Sequence, residues 1–376
     1  MKILGIETSC DETSAAVVQD GRKILSNVIY SQHQEHFRFK GIVPEIASRA
    51  HVEKINFIIQ QALFESKIDI FSRKIQEELD GIAVTVGPGL VGSLLVGKIA
   101  SDALGWLWNI PVLGVNHLEA HLLSPLLSHS KIKSPFMGLI VSGGHTDLIY
   151  VEKIGKYKVL GRTRDDAAGE CFDKAANLLG LGYPGGPLVD QYAQKGNSQA
   201  IAFARPMLAG SWDFSFSGLK TAVLYYLQNL QKENNSNIHK MHRDKKKYFS
   251  SQLDLEKINK KVVSDVCASL QAAIVEVLIE KTIKAAHEYK VKQILVGGGV
   301  SANSELRKQF AVRSKSERLK VYFPSRLLST DNAAMIAAVG YHRFKSFKNN
   351  KNIFLPLNCS ISIDPLHPSL PLENWA

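Results

Sequence analysis

The sequence is poor in cysteine. Four (Cys10, Cys171, Cys267 and Cys359) are scattered over 376 residues, with no C-x-x-C spacing. That excludes a disulfide framework and a Cys-ligated zinc site, and fits a reducing compartment. No apolar run reads as long enough to span a bilayer. Glu7 interrupts the only early apolar run, and an Arg/Ser-rich leader is missing, so a bacterial cytoplasm without membrane attachment is expected. Acidic residues are outnumbered: Asp+Glu 35 against Lys+Arg 46, a formal net charge of +11. A basic surplus favours a polyanionic partner such as nucleic acid. About half of it, nine Lys/Arg against four Asp/Glu, falls in residues 231–261, which read as a basic insertion without clear period.

The remaining composition, 45% hydrophobic and 22% charged, is that of a globular protein with one large or two ordinary domains. Lys2 to Ile6 reads as a strand. Ala15 to Val18 and Lys23 to Val28 follow, joined by the hairpin signal Asp20-Gly21. Pro44 opens a helix to Glu65, and Asp80 to Val86 is a buried strand followed by a helix to about Trp108. The pattern restarts near Pro135, with strand Phe136 to Val141, a polar turn, and a second hairpin through Leu160. This repeat predicts an internal duplication: two α/β domains of like topology, each opening with a hairpin whose first turn faces a cleft. Helices are expected at Ala167 to Leu179, Val262 to Tyr289, from about Asn303, and at Ala333 to Phe344; 182–187 reads as a Gly/Pro loop and 345–376 as a loose tail.

His117 and His121 stand at i and i+4 just after the apolar run Ile110 to Val115. Asn116 is placed to cap their helix, with Glu119 at the capping-box position. Two imidazoles on one helix face can bind one metal ion, and equally can be ordinary helix residues. Asp331, at a helix start, is the best-placed third ligand in the second half; its plain alternative is a helix cap. Gly87-x-Gly89-x-x-Gly92 matches a dinucleotide fingerprint only literally, since it does not follow the first strand of its unit and no acidic residue follows at the required distance. Gly92 to Lys98 nearly matches a P-loop, but Ile99 replaces the magnesium-binding Ser/Thr. Three polar glycine turns, at 142–146, 182–187 and 297–299, with the Asp11-Glu12 turn opposite, suggest a nucleotide held between two domains.

Together these stretches resemble the TsaD family of tRNA-modifying enzymes. The resemblance is carried by Ile6-Glu7-Thr8-Ser9-Cys10-Asp11-Glu12-Thr13, Val43-Pro44-Glu45-Ile46-Ala47-Ser48-Arg49, Gly87-Pro88-Gly89-Leu90 and His117-x-x-x-His121. Val141-Ser142-Gly143-Gly144-His145-Thr146, Gly169-Glu170-x-Phe172-Asp173-Lys174, Tyr183-Pro184-Gly185-Gly186-Pro187 and Phe214 to Thr221 add to it, with Gly297-Gly298-Gly299-Val300-x-Ala302-Asn303 and Thr330-Asp331-Asn332-Ala333. Ten ordered motifs cover residues 1 to about 345. The resemblance implies an actin-like ATPase (ASKHA) fold: two duplicated RNase H-like domains around a central cleft, at 1–134 and 135–325, then a helix at 326–345 packing back at the cleft and a tail at 346–376. The implied reaction moves a threonylcarbamoyl group from threonylcarbamoyl-AMP to N6 of the adenosine 3′ of the anticodon in tRNAs reading codons that begin with A.

It further implies that His117, His121 and Asp331 bind one divalent metal, Fe2+ or Zn2+. Ile140, Val141, Ser142, Gly143, Gly144, Asp173, Gly186, Asp190 and Asn303 are implied to contact the nucleotide substrate. Asp11 and Glu12, on the facing turn, are candidates to orient the amine or accept its proton. Implied partners are tRNA, a smaller actin-like paralogue (TsaB-like) and a P-loop ATPase (TsaE-like). Departures are few: Ala120 stands where glycine is usual, Ser329 where cysteine is common, and Lys40 where a second glycine is usual. Two rival readings are a metallopeptidase, which the missing H-E-x-x-H order disfavours, and a non-catalytic ATP-binding scaffold.

Overall fold

The computed structural model describes residues 1–39, 41–72, 74–236, 259–349, 366–372 and 374–375. The first half runs β1 (Lys2–Glu7), β2 (Glu12–Gln19), β3 (Lys23–Ser31), α1 (His33–Phe37), α2 (Pro44–Glu65), α3 (Ile75–Glu78), β4 (Gly81–Gly87), α4 (Val91–Trp108), β5 (Val112–Asn116), α5 (His117–Leu123) and α6 (Pro125–Ser128). The second half runs β6 (Phe136–Val141), β7 (Thr146–Lys153), β8 (Lys156–Arg162), α7 (Ala168–Leu178), α8 (Gly185–Ala193), α9 (Ser217–Ser236), α10 (Lys260–Glu288), β9 (Gln293–Gly297), α11 (Ser304–Ser316), β10 (Lys320–Tyr322) and α12 (Ala333–Asn349). Short 3-10 turns occupy Gly299–Ala302 and Arg326–Leu328.

The strands form two five-stranded sheets, ordered β3-β2-β1-β4-β5 and β8-β7-β6-β9-β10. In each, the first three strands are an antiparallel meander, and the last two add parallel to the opening strand. The like topologies match the duplication read from the sequence. At the first hairpin, Asp20 and Gly21 both take positive φ (54° and 68°), the geometry that Asp-Gly supplies to a two-residue turn.

Side-chain alternation sorts the strands into layers. Leu4 and Ile6 of β1 face α2 and α4, while Ile3 faces α5 and α12. In β6, Met137, Leu139 and Val141 face the layer of α7 to α11, while Phe136 and Ile140 face α5 and α12. The middle layer, α5 with α12, therefore lies between the two sheets. Its helices sit very close: a Cβ added at Gly5 would lie 2.2 Å from the Ala333 carbonyl, and one at Gly297 would lie 2.0 Å from the His121 carbonyl. Small residues in β1, β4, β9 and α12 make that approach possible.

Three sequence expectations change. Residues 182–187 are not wholly loop, because α8 starts at Gly185. The helix α10 is long and apolar enough to cross a membrane by length and composition, yet most of it is buried in the second core, where it packs around Ile274 and Leu278. Part of the expected loose tail is ordered: the His367 N–H donates to the Val86 carbonyl, and Asn116 Nδ2 donates to the carbonyls of Leu370 and Pro371. Most of the 231–261 insertion (237–258), tail residues 350–365, and Lys40 lie outside the described residues.

Candidate metal and nucleotide site

The helix α5 begins where β5 ends. The Asn116 side chain accepts from the backbone N–H groups of Leu118 (2.8 Å) and Glu119 (3.1 Å), as the capping reading requires. The reciprocal half of the capping box does not form. The Glu119 carboxylate instead accepts from the Tyr157 hydroxyl and Trp375 Nε1, buried on the side of α5 away from the histidine face. No general base therefore stands at the position a metallopeptidase of the H-E-x-x-H type would use.

His117 and His121 are buried, with their rings edge to face and centroids 4.6 Å apart. Asp331 arrives from the loop before α12. Its neighbour Asn332 caps that helix, accepting from the Met335 N–H, so the Asp331 carboxylate is left to face the histidines. Its Oδ1 lies 2.9 Å from His121 Nε2 and 3.5 Å from His117 Nε2. One donor atom from each of the three lies within 4.8 Å of the others. Such spacings suit neighbouring ligands held about 2.0–2.2 Å from one ion.

A carboxylate missed by sequence reasoning completes the arrangement. Glu7 ends β1, fully buried, and accepts from three groups: the Ser9 N–H, the Thr85 hydroxyl (2.6 Å) and His117 Nδ1 (3.0 Å). Holding Nδ1 turns His117 Nε2 toward Asp331, the carboxylate-histidine arrangement typical of metal ligands. Its sequence signal was a lone carboxylate closing an apolar strand. Burial disfavours charge on His117, but Asp331 and Glu7 outweigh it and push its pKa up to about 9. Burial also opposes ionisation of Glu7 and Asp331, and the histidines outweigh it, holding both carboxyls low. The pocket thus calls for positive charge, which a cation would supply in place of the proton.

Around this cluster lie the other predicted residues. Burial, then His117 and His121, push His145 down to about 4, so the imidazole is neutral beside the triad. Asp11 is buried, and Glu12 is nearly so. Burial, then Asp331 and Asp11, push the Glu12 carboxyl well up. Burial, then the charges of Asp11 and Asp173, push the Tyr183 hydroxyl up, which puts Tyr183 within electrostatic reach of Asp11.

Ile140 and Val141 are buried in β6, and Ser142 closes a tight turn, its N–H donating to the His145 carbonyl. Gly143, Gly144 and Gly186 border open space, where an added Cβ meets nothing within 4 Å. Asp173 Oδ1 accepts from the N–H groups of Gly185 (2.8 Å) and Gly186 (3.2 Å) at the start of α8. Asp190 accepts from the Ser304 N–H and hydroxyl. Asn303 caps α11 at Leu306 and donates to Gln271 Oε1 (3.1 Å). These three side chains thus fix backbone at the rim and are already engaged by protein groups.

The family profile described as TsaD, tRNA N6-adenosine threonylcarbamoyltransferase, matches residues 23–338. The chain belongs to this family. It is similar to the tRNA N6-adenosine threonylcarbamoyltransferase of Endomicrobium trichonymphae, with 48% identity over 100% of this chain and 99% of the relative. The protein of that name from Clostridioides difficile (strain 630) is 46% identical over 92% of this chain and 94% of its own length. Among solved structures, full-length HypF in its phosphate- and nucleotide-bound form is similar, with a TM-score of 0.56 at 11% identity, covering 92% of this chain and 56% of that one. HypF from T. kodakarensis gives 0.55 at 13% identity, covering 92% and 48%. At such identities the likeness shows the fold alone, which is that of the actin-like ATPases. Membership of the TsaD family makes the protein a transferase; neither the peptidase nor the scaffold reading is favoured.

Proposed function

We propose that the protein transfers the threonylcarbamoyl group from threonylcarbamoyl-AMP to N6 of the adenosine 3′ of the anticodon, in tRNAs that read codons beginning with A. The observation that carries this reading is the convergence of His117, His121 and Asp331 beside glycine turns with open space in front of them. These three residues would hold one divalent metal, Fe2+ or Zn2+. Bound there, it supplies Lewis acidity toward oxygens of the donor and a fixed anchor for them.

The chain's own residues do the rest. An adenine amine is a weak nucleophile because its lone pair is delocalised into the ring, so positioning is the main task. Gly143, Gly144 and Gly186 let backbone approach the nucleotide. Asp173 holds the start of α8 in place, and Asp190 and Asn303 set the rim at α11; Asp190 keeps acceptor capacity for sugar hydroxyls beyond its bonds to Ser304. Ile140 and Val141 anchor the first turn in the sheet. Asp11 and Glu12 meet the incoming amine, orient it and take its proton as the new N–C bond forms and AMP leaves.

Partners follow the same reading. Phe57 and Phe64 on α2, with Val91, Leu95, Ile99 and Trp106 on α4, are exposed apolar side chains. Such a surface suits a smaller actin-like paralogue (TsaB-like) as partner, with a P-loop ATPase (TsaE-like) joining the pair. A tRNA substrate supports the expected cytoplasmic location.

The test is transfer to an unmodified tRNA transcript from preformed threonylcarbamoyl-AMP, with paralogue and ATPase added, read as the modified nucleoside after digestion. Product at the expected adenosine supports the reading. Its absence with all components present would overturn it.

A further inference from the structure

Gln32 and two fully buried histidines, His36 and His51, have no part in the chemistry above. They lie behind the turn that carries Asp11 and Glu12, and donor and acceptor rules set their tautomers. The Cys10 carbonyl can only accept, so His51 donates to it from Nε2 (3.0 Å). His51 Nδ1 then accepts from the Thr13 hydroxyl (2.7 Å). Burial pushes the His51 pKa down, which agrees with a neutral ring. The Val43 N–H donates to His36 Nδ1 (3.3 Å), so His36 Nε2 donates to Gln32 Oε1 (3.2 Å). That turns the Gln32 amide nitrogen toward the Ala47 carbonyl of α2 (3.4 Å), while the Gln32 backbone N–H donates to the Asp11 carbonyl (3.0 Å).

The donor and acceptor roles agree along these bonds, and the Gln32 amide nitrogen also lies 3.4 Å from the acceptor Nδ1 of His51. Cys10, Asp11 and Thr13 are each held from outside the turn, by α2 and by the segment entering α1. A role in core packing alone would be served as well by an apolar residue, since burying an imidazole costs desolvation. Both ring nitrogens of His51 point instead at the turn.

We propose that His51, with Gln32 and His36 behind it, is a positioning residue that fixes the Asp11-Glu12 turn against the transfer site. This rests on the reading of Asp11 and Glu12 as the groups that meet the amine. Glu7 separately holds the start of the same segment, its carboxylate accepting from the Ser9 N–H. A carboxylate displaced by about 1 Å from a reacting group can lose roughly a hundredfold in rate.

The experiment compares His51→Phe, His51→Gln and Thr13→Val in the full chain with its partners, measuring kcat, KM for the donor, metal content and Tm. His51→Phe and Thr13→Val are expected to lower kcat at least tenfold, with KM and metal content within twofold of wild type. His51→Gln, whose amide can donate to the Cys10 carbonyl, is expected to recover most of the rate. In the double variant with Asp11→Asn, the two losses should not multiply. A folded, metal-loaded His51→Phe with wild-type kcat overturns the proposal, as does full multiplication of the losses. If His51→Phe does not fold, Thr13→Val decides by the same readouts. Wild-type rates in both Asp11→Asn and Glu12→Gln overturn the catalytic reading of the turn, and the proposal with it; a wild-type rate in His51→Phe alone overturns only the tether.

Discussion

Replacing Glu7 by glutamine exchanges one oxygen for an NH2 and removes a buried charge. All three groups on that carboxylate are donors: the Ser9 N–H, the Thr85 hydroxyl and, with Nε2 turned to Asp331, His117 Nδ1–H. An amide of the same shape must therefore set its NH2 against a donor, or swing away and release His117. In either orientation the negative charge that faces His117 Nδ1–H is lost, and the bond that orients the imidazole is weakened or broken. Removing such an outer partner of a metal-binding histidine typically weakens metal affinity about 10–100-fold, or about 1.4–2.7 kcal/mol. Thr85→Val is the control, since it removes one hydrogen bond to the carboxylate but leaves the charge and its contact with His117 in place. Chelator competition with Zn2+ measures the affinities, and circular dichroism shows whether each variant is folded. Glu7→Gln should bind at least tenfold more weakly than wild type, and Thr85→Val should stay within that. A folded Glu7→Gln with affinity within twofold of wild type would refute the role given to Glu7.

Other consequences reach further from the site. On α12, burial, then Arg22 and Lys345, push His342 down to about 4 from 6.5. The unfolded chain therefore binds the extra proton first as pH falls. Stability from this residue is full above pH 6.5, declines between 6.5 and 4, and is constant below, a loss of about 3 kcal/mol at most. Urea midpoints at pH 7 and pH 5 should differ less in His342→Gln than in wild type, and equal differences would refute the attribution. Gly298 has φ +90°, and a Cβ there would lie 2.4 Å from the Val141 carbonyl. Gly298→Ala should cost roughly 2–4 kcal/mol in urea denaturation. Gly144→Ala meets open space; its stability should be unchanged while KM for the donor rises. Trp106→Asp should leave Tm unchanged and weaken capture of the actin-like paralogue in a pull-down; undiminished capture would remove α4 from that interface.

What was legible in the sequence was local. The Asp20-Gly21 turn, the Asn116 cap and the histidine spacing are set by residues within a few positions of one another, and each holds in the structure. The duplication was visible because strand, turn and hairpin recur in the same order. What escaped depended on distant partners. For Asp331 the sequence left two roles open, third ligand or helix cap; in the structure Asn332 takes the cap and the Asp331 carboxylate faces the histidines. Glu119 looked like half of a capping box because Tyr157 and Trp375, which claim its carboxylate, lie 38 and 256 residues away. Glu7 gave only the signal of a charge closing a buried strand, and the polar chain behind Asp11 joins three elements that no motif connects.

The most direct measurement reads metal content and transfer in the same samples. Wild type and Asp331→Ala, each purified with the partner proteins, would be assayed for bound metal and for threonylcarbamoyl transfer from preformed threonylcarbamoyl-AMP to an unmodified tRNA transcript. The site described above predicts near-stoichiometric metal and product for wild type, and loss of both in a folded Asp331→Ala. Full transfer by an Asp331→Ala protein that carries no metal would contradict it.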